Sequence, residues 1–129
     1  MLYNKALKAD PDNMCALLNM GETYMRIGKP DSALIFLNRY YDIDSESEMG
    51  NYLRAYAYVN KQDAQTALDI LHKLQKQNRK YVAAYILAVQ IQMQQKDFVG
   101  AKKEFNKAID ADQMNEQMTQ LWLQYCAQQ

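Results

Sequence analysis

Glycine and proline are scarce in this chain, with four and two residues among 129. Because the turns of all-β proteins use both residues heavily, their scarcity favours a helical fold. The chain has no apolar run of the ~20 residues that a membrane-spanning helix needs, and its first residues lack the apolar core of a secretory signal. We therefore expect a soluble helical domain without direct membrane insertion, in a compartment that the sequence does not indicate.

An excess of charge of one sign is also lacking, because 15 Lys and Arg balance 15 Asp and Glu. A neutral chain lacks the broad positive field that nucleic-acid binding uses, so we expect no nucleic-acid partner. The densest basic stretch, 73–80, is interpreted as a solvated helix end rather than a phosphate site. Cys15 and Cys126 lie near opposite ends of the chain and are expected to be free thiols.

Side chains for catalysis or metal binding are few. His72 is the only histidine, so no Ser-His-Asp or Cys-His arrangement can be assembled, and we interpret His72 as a solvated surface residue. There is no Cys-x-x-Cys pair for zinc and no Gly-rich phosphate loop. The alternating acids of 42–48 lack the central glycine and terminal glutamate of a calcium loop. We expect no enzyme, no metal and no cofactor.

Residues of matched size return every 34 positions along the chain. Alanine stands at Ala33, Ala67 and Ala101. Further columns are Leu37, Leu71 and Phe105; Gly21, Ala55 and Val89; and Ala6, Tyr40, Leu74 and Ala108. Agreement of several columns at one period predicts an array of structural repeats.

Each period contains two helical patterns. Turn signals recur in register at Gly28-Lys29, Gln62-Asp63 and Lys96-Asp97. Asp63 and Asp97 suit helix N-caps, because a short carboxylate accepts from the amides of the first turn, and Ser45 with Glu48 predicts a capping box. The predicted helices span 14–27, 31–43, 48–61, 64–77, 82–95, 98–111 and 115–127, after a half-repeat helix at 1–9.

The pattern resembles the tetratricopeptide repeat family, whose repeat has a large residue, Leu-Gly, Tyr, Ala, an aromatic residue, Ala and Pro in order. Segment 14–47 supplies Leu17, Met20-Gly21, Tyr24, Ala33 and Leu37, and segment 82–115 supplies Tyr85, Ala88, Ala101, Phe105 and Ala108. In segment 48–81, Asn51 and Arg54 stand where large apolar residues are expected, which leaves a rotated first helix open there.

The resemblance implies an all-α, right-handed α-solenoid of helical hairpins. We expect a single domain over 1–129. It would contain the end of a preceding repeat (1–13), three full repeats (14–47, 48–81 and 82–115) and a C-terminal capping helix (116–129). In that helix, Leu121, Trp122, Leu123 and Tyr125 would cover the open end of the stack.

In this family the first helices of successive hairpins line a concave groove that holds partner proteins. An exposed apolar stripe usually marks a contact site, and Tyr and Met provide large, adaptable contact area. Met25 and Met93 are expected to point away from the hairpin cores. The groove positions carried over to this sequence are Leu18, Glu22, Met25, Tyr52, Tyr56, Val59, Ile86, Gln90 and Met93.

The implied function is a protein-binding scaffold or chaperone-like adaptor that takes an apolar or amphipathic segment of another protein or peptide. Chaperone-docking members hold a terminal carboxylate with Lys, Asn and Arg. Leu18, Glu22, Tyr52 and Tyr56 occupy those positions here, which argues against that specialisation. The architecture is similar to that of bacterial secretion chaperones and pilus-assembly proteins. The alternative is a self-association module, a homo-oligomer in which a second copy covers the stripe.

Overall fold

The computed structural model describes residues 7–10 and 13–128, and this part of the chain is helical without strands. None of its helices is long and apolar enough to cross a membrane. Residues 7–9 are helical, whereas the rest of the predicted N-terminal helix, including Ala6, lies outside the described residues. Seven helices follow: α1 (Met14–Arg26), α2 (Pro30–Ile43), α3 (Glu48–Asn60), α4 (Ala64–Gln77), α5 (Val82–Gln94), α6 (Phe98–Asp110) and α7 (Glu116–Ala127).

The predicted helices from residue 14 onwards are confirmed, and side-chain caps fix where several of them begin. Asp63 and Asp97 each accept the amide of the residue three positions on, at 3.2 and 2.9 Å. The predicted capping box at Ser45 is wrong, because Ser47 caps α3 in the same way at 3.0 Å. Such a cap satisfies an amide that has no partner within the helix and contributes about 1 kcal/mol.

A left-handed residue recurs at the end of the first helix of each hairpin. Gly28, Gln62 and Lys96 have φ angles of 76°, 67° and 59°, and they stand 34 positions apart. The amide of the next residue donates to a carbonyl five positions back, at 2.9, 2.9 and 2.8 Å. This is the Schellman arrangement, which normally takes glycine. The turn signals read from the sequence therefore mark real, equivalent turns.

The chain forms two compact units, Met1–Ile70 and Leu71–Gln129, and their boundary falls within α4. In unit 1, α2 packs against both α1 and α3. A methyl group on Gly21 would lie 2.5 Å from Leu37 Cδ2, so a larger residue where α1 and α2 cross would force the buried Leu37 side chain to move. The core cluster of unit 1 contains Ala33, Leu34, Leu37 and Ala57, with Leu18, Tyr24, Met25, Leu53 and Tyr58 packed against it.

Helix α3 keeps the orientation that the repeat pattern demands, although two of its expected apolar positions are polar. Asn51 is buried; its amide nitrogen donates to the Ser45 carbonyl at 2.9 Å and its oxygen accepts from Arg54 at 3.0 Å. The Arg54 guanidinium also lies 4.1 Å from the centre of the Tyr41 ring. Because these contacts satisfy the polar groups, α3 is not rotated, and Tyr56 stays exposed.

In unit 2, α7 packs against both helices of the α5–α6 hairpin. The Trp122 and Phe105 rings form a T-shaped pair with centroids 5.0 Å apart, and the Tyr125 ring centroid lies 5.6 Å from that of Phe105. Leu123, expected to help cover the end of the stack, is 63% exposed and faces solvent instead. The core cluster of unit 2 contains Tyr85, Val89, Ala101, Phe105, Ala108, Met118 and Tyr125.

Candidate functional site

The nine predicted groove positions fall into three columns of uniform exposure, each position described within its own unit. Because the columns repeat every 34 residues, equivalent positions have equivalent surroundings. None of the nine is fully buried, so each presents some surface. The middle column, Glu22, Tyr56 and Gln90, is exposed; the flanking columns, Leu18, Tyr52 and Ile86, and Met25, Val59 and Met93, are half-buried.

In unit 1, α1 and α3 are neighbours, and their six groove positions make what we call the tyrosine face: Leu18, Glu22, Met25, Tyr52, Tyr56 and Val59. The Tyr52 and Tyr56 rings lie with centroids 6.4 Å apart, tilted by 45°. Tyr56 is 43% exposed. Burial and the neighbouring Tyr56 raise the pKa of Tyr52. Its phenol is therefore neutral at physiological pH, and Tyr52 presents aromatic surface without charge.

Two residues of the tyrosine face also contact the core of unit 1. Leu18 and Met25 are half-buried and pack against the core cluster. The expectation that Met25 points away from the core is therefore corrected. Its side chain packs against the core cluster and is partly exposed at the surface. Glu22 is exposed and pairs with Arg26 at 3.2 Å, one turn along the helix. An exposed pair of this kind adds little stability, so its charge is available to a partner.

In unit 2, the groove positions lie on α5. Ile86 and Met93 are half-buried against the core cluster of this unit, which corrects the same expectation for Met93. Gln90 is exposed. Helix α5 buries residues around much of its circumference, so only a narrow strip near Gln90 is left for a partner.

The structure also brings together polar residues whose contact was not predicted from the sequence. The Glu104 side chain is only 2% exposed. Its carboxylate lies 2.6 Å from His72 Nε2 and accepts from Gln75 at 2.8 Å and Lys107 at 3.2 Å. Since an ionised carboxylate only accepts, Nε2 must carry a proton. The interpretation of His72 as a solvated surface residue is therefore wrong.

This network keeps a buried carboxylate ionised. Burial alone would raise the pKa of Glu104, but the hydrogen bonds from His72 and Gln75 and the charge of Lys107 outweigh burial, and the pKa lies below its ordinary value. One signal in the sequence could have found this site. Glu104 stands in the same column as Phe36 and Ile70, and a carboxylate in an apolar column calls for a partner.

A family model of the tetratricopeptide repeat matches residues 1–57 and again 58–122. The chain belongs to the tetratricopeptide repeat family. The predicted fold class, an all-α solenoid of tetratricopeptide hairpins, is thereby confirmed. Domains of this family are protein-interaction modules rather than enzymes. The surface residues that could contact a partner are therefore the relevant ones. No curated protein matches the chain.

Solved structures agree with this assignment. Two crystal structures of MamA are 31% identical to the chain, cover 85% and 84% of it, and have TM-scores of 0.73 and 0.74. The chain spans only 60% and 64% of those two MamA chains.

Two more distant structures show the fold alone. The Sgt2 tetratricopeptide domain from Aspergillus fumigatus is 18% identical, with 89% of this chain and 78% of that one covered and a TM-score of 0.77. The first tetratricopeptide domain of Spaghetti (RPAP3), bound to the HSP90 peptide SRMEEVD, is 21% identical, with 92% and 94% covered and a TM-score of 0.75.

Proposed function

We propose that this tetratricopeptide domain is a protein-interaction scaffold that binds an apolar or amphipathic segment of another protein. The observation that carries the proposal is the tyrosine face, where the exposed Tyr56 ring lies 6.4 Å from the half-buried Tyr52 ring. These rings are on α3, which contacts the helix that carries Leu18 and Met25. Aromatic and thioether side chains offer large contact area that adapts to varied partners. Where such side chains form a contiguous apolar patch, the patch usually marks an interaction site. Ile86, Gln90 and Met93 remain predicted contributors from unit 2.

We place the scaffold in a larger assembly, such as a bacterial secretion or pilus system. The support is architectural. Helical hairpins followed by a helix that packs on the last hairpin resemble the arrangement in proteins of those systems. The RPAP3 domain holds an HSP90 peptide, but the equivalent mode does not suit the tyrosine face. Glu22 would repel a terminal carboxylate there, and Tyr52 and Tyr56 supply no positive charge.

Photo-crosslinking from position 56 tests the proposal. A photoreactive amino acid in place of Tyr56 should form cross-links, in cells that express the chain, to a partner whose contact segment is apolar or amphipathic. The same amino acid at Asp69, which is exposed on α4, is the matched control. With the purified complex, Tyr56→Ala should weaken binding about thirtyfold, the effect of losing ~2 kcal/mol from a central aromatic anchor. A hydrophilic contact segment, or equal cross-linking from position 69, would contradict the proposal.

Self-association through the same face is the second candidate, because an apolar face can be covered by its own copy in a two-fold arrangement. Light scattering over a wide range of protein concentrations separates the two functions. A monomer at every concentration rules out self-association. A dimer that Tyr56→Ala dissociates would instead replace the partner-binding proposal.

A further inference from the structure

A cavity of about 400 Å³ opens in unit 2 beside the buried Glu104 network. It lies at the C-terminal ends of α4 and α6, where the sequence has its densest basic stretch. None of the predicted groove positions lines it. We call it the basic pocket, and the side chains that matter for its chemistry are His72, Lys76, Arg79, Tyr85, Lys107 and Asp110.

Tyr85 lines the basic pocket and can contribute its hydroxyl to it. The residue is 2% exposed and packs in the core cluster of unit 2, so the hydroxyl is its polar end toward the cavity that it lines. Within the described residues, no group forms a hydrogen bond with this hydroxyl, so the hydroxyl is accessible at the cavity surface. Burial raises the pKa of Tyr85, while Arg79 lowers it and Glu104 raises it. The hydroxyl therefore keeps its proton and can donate to a ligand that enters the cavity.

The charged side chains at the basic pocket include cations that are available to a ligand. Lys107 is already engaged with Glu104 at 3.2 Å. Among the residues that the structure describes, Arg79 makes only a long contact of 3.5 Å to the Asp110 carbonyl, and neither Arg79 nor Lys76 forms an ion pair. Both side chains are exposed. Three cationic side chains face two carboxylates, so one positive charge is in excess when His72 is neutral.

We propose that the basic pocket binds a carboxylate side chain from an acidic segment of a partner protein, with Tyr85 and Arg79 donating hydrogen bonds and Lys76 adding charge. An excess of one positive charge matches a single carboxylate. A phosphate dianion would leave the pocket with a net negative charge, whereas a single carboxylate neutralises it. The cavity is larger than one carboxylate and has room for adjoining peptide atoms. This site would give the scaffold a second recognition chemistry, independent of the tyrosine face.

Titration of the ¹⁵N-labelled chain with acetyl-Gly-Glu-Glu-Gly-amide, followed by amide chemical shifts, tests the pocket. The shifts should concentrate at residues 72–79 and 107–110, and acetyl-Gly-Gln-Gln-Gly-amide should not produce them. Arg79→Gln and Tyr85→Phe should each weaken binding about tenfold, the usual effect of losing a hydrogen bond to a charged group. Tyr85→Phe keeps the ring in the core, and exposed Arg79 can be replaced without disturbing it.

Two controls make the result specific. Lys102→Gln removes an exposed cation outside the pocket and should leave the peptide affinity unchanged, as should Tyr56→Ala. Equal weakening by Lys102→Gln would show non-specific charge attraction, and weakening by Tyr56→Ala would place the peptide on the tyrosine face. Absence of peptide binding would overturn the proposal. So would binding of inorganic phosphate at the same residues at lower concentration than the peptide. None of these outcomes depends on whether the tyrosine face binds a partner.

Discussion

Replacing Glu104 with glutamine removes a negative charge from inside unit 2 with little change in volume. The carboxylate now accepts from His72, Gln75 and Lys107. An amide nitrogen cannot accept, so one of these donors would face another donor in the variant. Lys107 is 48% exposed and can turn to water, whereas Gln75 is buried and cannot. Since a hydrogen bond to a charged group contributes about 1.5–3 kcal/mol, we expect Glu104→Gln to lower the free energy of unfolding by about 2–3 kcal/mol at neutral pH.

The stability difference between parent and variant should also depend on pH in one direction. The pKa of Glu104 is lower in the folded chain than its ordinary value of 4.5. A depressed pKa means that the contribution of the carboxylate is complete above the ordinary value and is lost as the pH falls through the folded-state pKa. The advantage of the parent over Glu104→Gln should therefore shrink as the solution is acidified below pH 4.5, and it should be constant near neutrality.

Urea unfolding followed by circular dichroism, at neutral pH and at several acidic values, measures both effects. Glu22→Gln is the matched control, because Glu22 is exposed and pairs with Arg26 on the helix surface. That pair is expected to contribute no more than about 0.5 kcal/mol. If the two variants lose the same stability, or if the gap for Glu104→Gln persists unchanged in acid, the buried network does not stabilise the fold as argued.

Three further tests address the packing and the repeat register. Ala101→Leu inserts bulk at a fully buried position and should cost about 1–3 kcal/mol, whereas Ala127→Leu, at an exposed position, should be nearly silent; equal effects would put the register in doubt. Lys96→Gly should raise the melting temperature slightly by relieving a positive φ, and Gly28→Ala, whose added methyl group meets nothing within 4 Å, should lower it for conformational reasons alone. Deleting 114–129 should expose the core of unit 2 and cause aggregation; a deletion variant that is monomeric and equally heat-stable would contradict this.

The helices were predictable because the repeat constrains each of them several times. Ala33, Ala67 and Ala101 are all fully buried, as expected where two helix backbones approach closely. The turns at Gly28, Gln62 and Lys96 repeat the same left-handed geometry, although only the first is glycine. Evidence that is weak at one position becomes strong when it recurs every 34 residues.

Polar contacts were not predictable in the same way. His72 and Glu104 are 32 residues apart, and no local periodicity pairs them. Their contact depends on which faces of α4 and α6 meet in unit 2, together with the side-chain rotamers. The repeat pattern identified Asn51 as a departure but could not supply its partners, since these come from the Ser45 backbone and the Arg54 side chain. Periodicity specifies which positions are buried, not which hydrogen bonds compensate a polar residue there.

The packing of Asn51 decides how Tyr56 should be interpreted. Residues five positions apart on a helix point about 140° apart, so the burial of Asn51 directs Tyr56 toward solvent. The hydrogen bond from the Asn51 side chain to the Ser45 carbonyl fixes this rotation of α3 within the chain itself. Tyr56→Ala should therefore melt within a few degrees of the parent, since a side chain that is 43% exposed leaves no closed cavity when truncated. Lost partner binding in this variant could then be attributed to the lost ring. A drop in stability of about 3–5 kcal/mol, as for a core aromatic residue, would instead remove Tyr56 from the tyrosine face and require Tyr52 to be reassigned with it.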